Sequence, residues 1–413
     1  MNRRYRRRRQ TTPTHFLSAV STMLATARQL PRAIVSQQRR GLADLVTLPS
    51  GKPAISYGPA GRSASTGQVA TVFGCTSFLG RYLVAKLAKA GTHVVIPYRD
   101  EDEKRHLRVT GDLGQITSLE WDLRREDQIA ECLRHSDIVY NLVGRDYETK
   151  NFDFNSVHVS GAERIARIAA EHGVSRLVHV SHLNASTTST SAFYKSKALG
   201  EEKVKAAFPT ATIVRPATMF GHEDKFLNNM AFWPIWWKLN DMQTKVRPVH
   251  VLDVAQALTN ILTIPSLPGT LNLPGPSTLT HEYLLTLVSS VTYHPPSKAP
   301  VIPKKLALLL TKAAQNIWWP ALSPDEVERR YIDDAEVEGD WDKVGVRPDE
   351  IEDHAITYLR RYRSAENYTR PVVLPSSRQA SMWACTVTFR SVHVELYMHL
   401  YLDSPPAFGV LLP

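Results

Sequence analysis

A glycine-bounded turn between a predicted strand and a predicted helix constrains the fold of this chain more than any other feature. The apolar run Val69–Phe73 leads directly into residues 74–80, which read GCTSFLG. Glycines at such a turn let the backbone approach a pyrophosphate and let the helix pack close to the strand, while free N–H groups at the helix N-terminus bind phosphate. The sequence therefore predicts a nucleotide diphosphate at the start of this helix.

The middle position of the turn departs from the usual pattern. Ser77 stands where a G-x-x-G-x-x-G fingerprint has its second glycine. Either its Cβ crowds the phosphate or its hydroxyl donates a hydrogen bond to it, and the sequence does not choose between these effects. The alternative interpretation of the same residues is a tight turn in a domain that binds no nucleotide.

Short apolar runs alternate with amphipathic stretches from Gln68 onward, as in βαβ units that form a mainly parallel sheet. Six runs are predicted strands: residues 69–73, 93–96, 118–121, 138–143, 177–180 and 212–214. The first helix is predicted to end at the C-cap Gly91, and another helix is predicted over residues 253–262. The predicted fold class is α/β, a doubly wound, mainly parallel Rossmann sheet with a smaller C-terminal mixed α/β region.

Changes in composition divide the chain into five predicted parts. They are a transit segment (1–43), a linker (44–67), a Rossmann domain (68–265), a smaller C-terminal domain (266–370) and a tail of unknown structure (371–413). The transit segment holds ten arginines and no acidic residue. It is also rich in Ser, Thr and Ala and has apolar residues at helical spacing, a pattern typical of mitochondrial targeting. A disordered basic arm is the alternative.

The formal charge of +10 comes from this N-terminal segment, because the remaining residues carry 40 basic and 40 acidic side chains. Charge therefore gives no reason to expect a nucleic-acid partner. The cysteines Cys75, Cys132 and Cys385 show no CxxC spacing, so neither a disulfide framework nor a metal site is predicted. No uncharged apolar run approaches the roughly 20 residues that a spanning helix needs, which predicts a soluble or peripheral protein.

The end of the second predicted strand bears on the choice of nucleotide. A protein that binds NAD usually places an acid there for the ribose hydroxyls, whereas residues 96–100 of this chain read IPYRD. The guanidinium of Arg99 matches the geometry of a 2′-phosphate, which indicates NADP(H). Asp100 is the competing ligand, and a solvated surface charge is the alternative role for Arg99.

Longer strings in the sequence resemble a known family. Residues 68–262 resemble the atypical short-chain dehydrogenase/reductase superfamily in the glycine turn and in the residues that follow the later strands. Within that superfamily the closest resemblance is to the dehydrogenase-like accessory subunits of mitochondrial respiratory complex I. The strings that carry it are TVFGCTSFLGRYL (71–83), GDLGQITSLEWD (111–122), NLVGRDYETKNFDF (141–154), VHVSHLNA (178–185) and FGHEDKFLN (220–228).

The resemblance implies a subunit on the matrix side of the inner membrane that holds NADPH and no metal, with other complex I subunits as partners. By matching position it implies a cofactor site in which the pyrophosphate lies against Gly74, Thr76, Ser77, Phe78, Leu79 and Gly80. It also implies Arg99 at the 2′-phosphate, Asp122 at the adenine, Leu142, Val143 and Gly144 beside the ribose, and Lys197 at the ribose hydroxyls.

Active members of the superfamily use a Tyr as acid and base, a Lys four residues later and a Ser that orients the carbonyl. Here Ser181 is in place, but Phe193 precedes Lys197 at that distance and the tyrosine is Tyr194. One residue rotates a helical side chain by about 100°, so Tyr194 is predicted to point away from the reacting position. The preferred function is therefore a non-catalytic subunit. The alternative is a matrix NADP-dependent reductase or epimerase in which a shifted register restores these remnants.

Two aromatic segments are candidate contact surfaces. Residues 303–320 combine a stripe of apolar side chains with lysines and end in Trp318 and Trp319. This pattern indicates a peripheral contact with inner-membrane lipid or with a neighbouring subunit. Core packing is the commoner explanation, and it is slightly favoured for the second segment, which contains Phe232, Trp233, Trp236 and Trp237.

Overall fold

The computed structural model of the chain describes residues 43–47, 53–57, 64–232, 238–294, 300–317, 323–372 and 375. The predicted transit segment and C-terminal tail lie almost entirely outside these residues. The same holds for Trp233, Trp236, Trp237, Trp318 and Trp319. Within the described part of the chain, no helix is long and apolar enough to span a lipid bilayer.

Strands and helices alternate through the first two thirds of the described chain. The strands are β1 (Ala43–Thr47), β2 (Pro53–Tyr57), β3 (Val69–Phe73), β4 (His93–Tyr98), β5 (Ile116–Glu120), β6 (Ile138–Asn141), β7 (Arg176–Val180), β8 (Thr212–Pro216), β9 (Met219–Phe220), β10 (Lys245–Val246), β11 (Val249–His250), β12 (Thr270–Leu273) and β13 (Leu279–Thr280). The α-helices are α1 (Phe78–Ala90), α2 (Glu101–Arg108), α3 (Glu126–Leu133), α4 (Ala162–Glu171), α5 (Ala192–Ala207), α6 (Phe226–Phe232), α7 (Val251–Asn260), α8 (His281–Thr292), α9 (Lys304–Ile317), α10 (Pro324–Arg329), α11 (Trp341–Val344) and α12 (Ile351–Leu359). A π-helical turn, Asn155–Gly161, precedes α4.

Seven parallel strands form the central sheet in the order β12-β8-β7-β6-β3-β4-β5. The chain order reverses between β3 and β6, and in open α/β sheets ligands bind at the carboxyl ends of the strands at such a switch point. The first glycine turn lies there, directly after β3. The predicted doubly wound Rossmann sheet is confirmed.

The six predicted strands are all present; the first has the predicted ends, and no end of the others is displaced by more than two residues. The sequence did not predict β12. Its four residues, TLNL, lie between Gly269 and Pro274, too short a run to show an alternating pattern. Pairing with β8 recruits it into the sheet. Because β12 lies beyond residue 265, the predicted end of the Rossmann domain, the division into two domains stays a prediction.

Each face of the sheet is covered by helices with a separate apolar core. On one face, Leu83 and Leu87 of α1 and Val254 and Leu258 of α7 pack against β3, β4 and β7. On the other face, α3, α4 and α5 pack against Phe73 and neighbouring strand residues. Each of these fully buried leucines contributes about 2 kcal/mol of transfer free energy. Sheet and helices therefore hold the strand ends in fixed positions.

The C-terminal part of the chain packs against the same sheet as well as forming its own core. Trp341 of α11 is buried in the cluster that covers the first face, and its indole N–H donates to the carbonyl of Pro274 at 2.8 Å. A third cluster joins α6, α8 and α12. Helices α6, α8 and α12 therefore form a cap beside the Rossmann core, to which Trp341 is anchored.

Candidate dinucleotide site

The turn after β3 has the close backbone contacts that require glycine. Gly74 has φ +81°, and a Cβ there would lie 3.0 Å from the backbone carbon of Leu142. At Gly80 a Cβ would lie 2.3 Å from the carbonyl oxygen of Gly74. Gly74 thus lets β3 approach the end of β6, and Gly80 lets α1 pack closely on the turn, as the sequence predicts.

Ser77 is the N-cap of α1. Its hydroxyl donates to the carbonyl of Gly74 at 2.7 Å and accepts the N–H of Gly80 at 3.3 Å. The hydroxyl hydrogen is therefore committed to the turn rather than offered to a phosphate. The backbone N–H groups of Phe78 and Leu79 have no acceptor among the described residues, so the helix N-terminus retains donors for an anion.

Two residues at the end of β4, Arg99 and Asp100, are candidates for binding the ribose of the adenosine, and the structure gives them different roles. The carboxylate of Asp100 is the N-cap of α2 and accepts the N–H of Asp102 at 3.0 Å. Arg99 is exposed and makes no hydrogen bond or ion pair within the described ranges. Asp100 therefore has a structural role, and the guanidinium of Arg99 is free to bind an anion.

The other residues expected at the cofactor lie along the same edge of the sheet. Asp122 follows β5, and its Oδ1 accepts the N–H of Arg124 at 2.8 Å. The N–H of Leu142 donates to the carbonyl of Phe73 at 3.0 Å, which joins the ends of β6 and β3. The residues that complete this edge are Thr76, Val143 and Gly144. The structure thus brings the predicted cofactor residues to the carboxyl ends of adjacent strands.

Lys197 lies on α5 beneath this edge and is 7% exposed. Its Nζ donates to the carbonyl of Val180 at 3.3 Å, and a Cβ on Gly144 would lie 3.2 Å from Nζ. Burial lowers the pKa of Lys197 to about 8. The absence of a side chain at Gly144 leaves the ammonium reachable from the site.

Two buried polar side chains at the end of β7 lack partners. The Oγ of Ser181 and both ring nitrogens of His179 make no hydrogen bond among the described residues. Burial, together with the nearby charge of Lys197, lowers the pKa of His179 to about 3. An unsatisfied buried polar atom costs about 1–3 kcal/mol. These unsatisfied atoms lie buried beneath the carboxyl edge of the sheet, close to Lys197.

The remnants of a catalytic centre are out of register. Phe193 faces Lys197, whose Nζ lies 5.9 Å from the ring centre. Tyr194 points instead toward Asn184 and the ring of His182, whose centre is 4.9 Å away. Burial raises the pKa of Tyr194 to about 12. The one-residue offset in the sequence therefore puts a phenyl ring where a phenol would be needed.

His158 is a site residue that the sequence did not single out. Its Nε2 accepts the N–H of Arg145 at 3.1 Å, and its Nδ1 lies 2.8 Å from the Oγ of Ser196. Because that hydroxyl donates to the carbonyl of Phe193, Nδ1 carries the hydrogen. Burial lowers the pKa of His158 to about 2, so the ring is neutral. No local pattern predicts this role, since its partners come from other elements.

Two further features lie away from this site. A groove of about 610 Å³ is at the opposite edge of the sheet, beside Gln68 and His93. His250, Asp349 and His354 form a cluster whose donor atoms lie within 4.8 Å of one another. The two imidazoles are stacked, with ring centres 4.1 Å apart. Imidazole lone pairs lie in the ring plane, so this parallel arrangement does not direct both at one ion.

The parallel sheet and the glycine turn at its carboxyl edge define a Rossmann-fold protein of the class that binds nicotinamide dinucleotides. Residues 74–265 match a family model described as NAD(P)H-binding. Solved structures share the fold. They include a triphenylmethane reductase from Citrobacter sp. (TM-score 0.57, 14% identity, 71% of this chain and 99% of that one) and a nucleoside-diphosphate-sugar epimerase from Staphylococcus aureus (TM-score 0.55, 12% identity, 70% and 99%).

Curated relatives are much closer in sequence. The mitochondrial NADH-ubiquinone oxidoreductase 40 kDa subunit of Neurospora crassa is 44% identical over 374 residues, which cover 87% of this chain and 98% of the relative. The mitochondrial NADH dehydrogenase [ubiquinone] 1 alpha subcomplex subunit 9 of Mus musculus is 40% identical over 324 residues, with 75% and 84% covered. The chain belongs to this subunit 9 family.

Proposed function

We propose that this chain is an accessory subunit of mitochondrial respiratory complex I that binds NADP(H) at the β3–α1 turn and catalyses no reaction of its own. Family membership carries the assignment to the complex. The ring of Phe193 beside Lys197 supports the absence of independent catalysis, because no proton donor stands there. The predicted transit segment and the relatives' names support a place on the matrix side of the inner membrane.

The nucleotide contributes to the assembly by stabilising the folded subunit. A ligand that binds only the native state stabilises it by about 2.7 kcal/mol at a hundred times its dissociation constant. The free guanidinium of Arg99 supports NADP(H) over NAD(H), because it can pair with a 2′-phosphate.

The test replaces the chain in cells with an Arg99→Glu variant. Arg99 lies at the nucleotide site and makes no hydrogen bond or ion pair among the described residues, so its change should leave the fold intact. The new carboxylate would repel the 2′-phosphate, and we expect less assembled complex I on native gels, with unchanged flavin chemistry per assembled complex. An Arg105→Glu variant makes the same change at an exposed residue of α2 and serves as the control. Normal assembly of Arg99→Glu, with NADP(H) binding abolished, would refute the proposed role.

A second candidate is a matrix NADP-dependent reductase or epimerase. The unpartnered hydroxyl of Ser181 beside Lys197 favours it, since these are two of the three groups used by active superfamily members. It predicts that purified protein oxidises bound NADPH when a carbonyl substrate is added, and that Tyr194→Phe abolishes the signal. Bound NADPH that stays reduced across a broad panel of carbonyl compounds excludes this candidate.

The outer face of α9 supports a peripheral contact with inner-membrane lipid. Leu306, Leu309 and Leu310 are 49%, 66% and 40% exposed, and they follow the i, i+3, i+4 spacing of one helical stripe. The inward face is formed by Ala307 and Thr311, which are buried. Exposed Lys305 and Lys312 flank the stripe. Apolar residues beside lysines are typical of helices that lie in a membrane interface.

Phe232 belongs to the second aromatic segment, for which core packing was slightly favoured. That expectation is wrong for Phe232, which is 66% exposed at the end of α6. The aromatic ring sits where the helix leaves the apolar core shared by Leu227 and Met230. Its exposure adds a second apolar surface feature to the cap.

Liposome flotation tests the lipid contact. Wild-type protein is expected to float with phosphatidylcholine vesicles that contain cardiolipin, and Leu309→Glu/Leu310→Glu is expected to remain at the bottom. Leu113→Glu changes another exposed leucine and should float like wild type. Equal flotation of wild type and the α9 double variant would contradict the lipid contact and favour a subunit at this surface.

A further inference from the structure

We propose that residues 323–335 of this chain fill the cleft beside Phe193 and Tyr194 and so close the nicotinamide end of the dinucleotide site. The inference rests on the proposed binding of NADP(H). The segment comprises α10 and the turn that follows it. It contacts the cleft at three places that lie more than 130 residues away in sequence, so its position depends on tertiary structure alone.

The first contact caps the helix that carries Lys197. The carboxylate of Asp325 accepts the hydroxyl hydrogen of Ser191 at 3.0 Å and the N–H of Ala192 at 2.8 Å. These groups form the N-terminus of α5. An acidic side chain at a helix N-terminus is favourable because of the helix dipole. Asp325 thus fastens α10 to the start of the helix on which the degenerate catalytic residues lie.

The second contact uses Asn184, which follows β7. Its side-chain N–H donates to Asp334 Oδ1 at 2.8 Å, and its Oδ1 accepts the N–H of Ala335 at 2.9 Å. Asn184 and Asp334 are 9% and 7% exposed. The side chain of Tyr194 lies beside the same residue, Asn184. Asn184, which follows β7 next to the cleft, is therefore held by residues of the segment 323–335.

The third contact covers the aromatic floor of the cleft. The guanidinium of Arg329 lies 4.6 Å from the centre of the Phe193 ring and donates to the carbonyl of Asp146 at 3.0 Å. Ile332 packs against the cluster of Phe154, Phe193 and Tyr194. The Arg329 side chain is 17% exposed. It thereby bridges the loop after β6 and the start of α5 across the mouth of the cleft.

Through these contacts, a segment of the chain itself lies where a substrate would bind. Side chains of the segment occupy the cleft between the ends of β6 and β7 and the start of α5, and they hydrogen-bond to Ser191, Ala192 and Asn184 at its edge. A carbonyl compound would have to displace Arg329 and Ile332 to approach the nicotinamide. The segment should therefore shield bound NADPH from hydride acceptors in solution as well as slow its release.

The test measures how fast a small hydride acceptor reaches bound NADPH. Purified full-length protein is loaded with NADPH, freed of excess and mixed with phenazine methosulfate. The phenazinium takes the hydride, with its two electrons, and leaves NADP⁺, which is followed as loss of reduced-nicotinamide absorbance. We expect loss from wild type to be no faster than NADPH dissociation. Asp325→Ala/Asp334→Ala should raise the rate at least tenfold above dissociation.

Asn184→Ala is the second variant. It should also raise the rate of NADPH oxidation, because Asn184 is the hydrogen-bond partner of Asp334. Asp342→Ala changes an exposed acid on α11 and should behave as wild type. Circular dichroism reports whether each variant is folded. Oxidation of wild-type-bound NADPH at the rate of free NADPH would overturn the closed cleft while leaving nucleotide binding intact. Failure of wild type to bind NADPH would overturn both proposals.

Discussion

The Nζ of Lys197 lies 5.9 Å from the centre of the Phe193 ring, on the face of α5 that a tyrosine would need to share with a catalytic lysine. A phenyl ring neither donates a hydrogen bond nor takes up a proton. Among the described residues, Lys197 therefore retains the carbonyl of Val180 as its hydrogen-bond acceptor, at 3.3 Å. Its buried charge is a cost to the nucleotide-free protein, and in the proposed function it binds the ribose hydroxyls.

Lys197→Met is expected to stabilise the nucleotide-free protein. Burial lowers the pKa of Lys197 from 10.5 to about 8, so the unfolded chain binds more protons between these pH values. The free energy of unfolding therefore rises with pH from 8 to 10.5, and the charged lysine costs up to about 3 kcal/mol below pH 8. Urea denaturation at pH 7 should show the variant to be more stable, while NADPH affinity falls about tenfold or more.

Lys150→Met is the matched control for that experiment, because Lys150 is exposed. It should change neither the free energy of unfolding nor NADPH affinity appreciably. A Lys197→Met variant less stable than wild type at pH 7 without nucleotide would contradict the unfavourable burial of this charge.

Acid should destabilise the protein through His179. Its pKa is lowered to about 3 by burial, so the neutral ring persists in the folded state while the unfolded chain takes up a proton below about pH 6.5. Because of His179, the free energy of unfolding falls by about 1.4 kcal/mol for each pH unit below 6.5, until the pH reaches the pKa of His179 in the folded protein. His179→Leu should flatten the dependence of the urea midpoint on pH between 6.5 and 5.

The exposed His222 provides the comparison for this measurement. His222→Ala should leave the slope of stability against pH as it is in wild type. If His179→Leu and wild type lose stability in parallel as the pH falls, then His179 is not a buried neutral group in solution.

Arg99→Leu should discriminate between the two dinucleotides. A hydrogen-bonded ion pair with the 2′-phosphate is worth about 1.5–3 kcal/mol, so NADPH affinity should fall roughly 10- to 100-fold. NADH affinity should change less than twofold, because that nucleotide lacks the phosphate. Isothermal titration calorimetry with both nucleotides measures the ratio. Arg105→Leu, on the exposed side of α2, is the control, and an equal loss for both nucleotides would argue against a 2′-phosphate contact.

Gly80→Ala should disrupt the turn itself. The added Cβ would lie 2.3 Å from the carbonyl oxygen of Gly74 and 2.7 Å from that of Cys75, and neither backbone atom can move without separating α1 from β3. We expect a loss of more than about 3 kcal/mol in the free energy of unfolding. Gly269→Ala meets no atom within 4 Å and should change stability by less than about 1 kcal/mol. Similar thermal midpoints for the two variants would contradict the close packing at Gly80.

Local sequence features were sufficient to predict six of the seven strands of the central sheet and the turn that begins α1. The strand Val69–Phe73 and the C-cap Gly91, with φ +88°, follow from short patterns whose physical meaning is local. The sequence also predicted that Phe193 and Tyr194 point in different directions, because neighbouring side chains on a helix are about 100° apart. The role of Asp100 as a helix cap was not predicted, because the same residue suited a ribose equally well.

The class of fold, the place of the dinucleotide turn and the family could all be read from the amino-acid sequence, because each depends on residues that are neighbours in the chain. Tertiary structure alone decided that β12 completes the sheet, that His158 and His179 are buried beside Lys197, and that Asp325 and Arg329 cross the cleft. These residues acquire their roles from partners up to 183 positions away. Hydrogen bonding and burial depend on distance in space, and no local pattern encodes that distance.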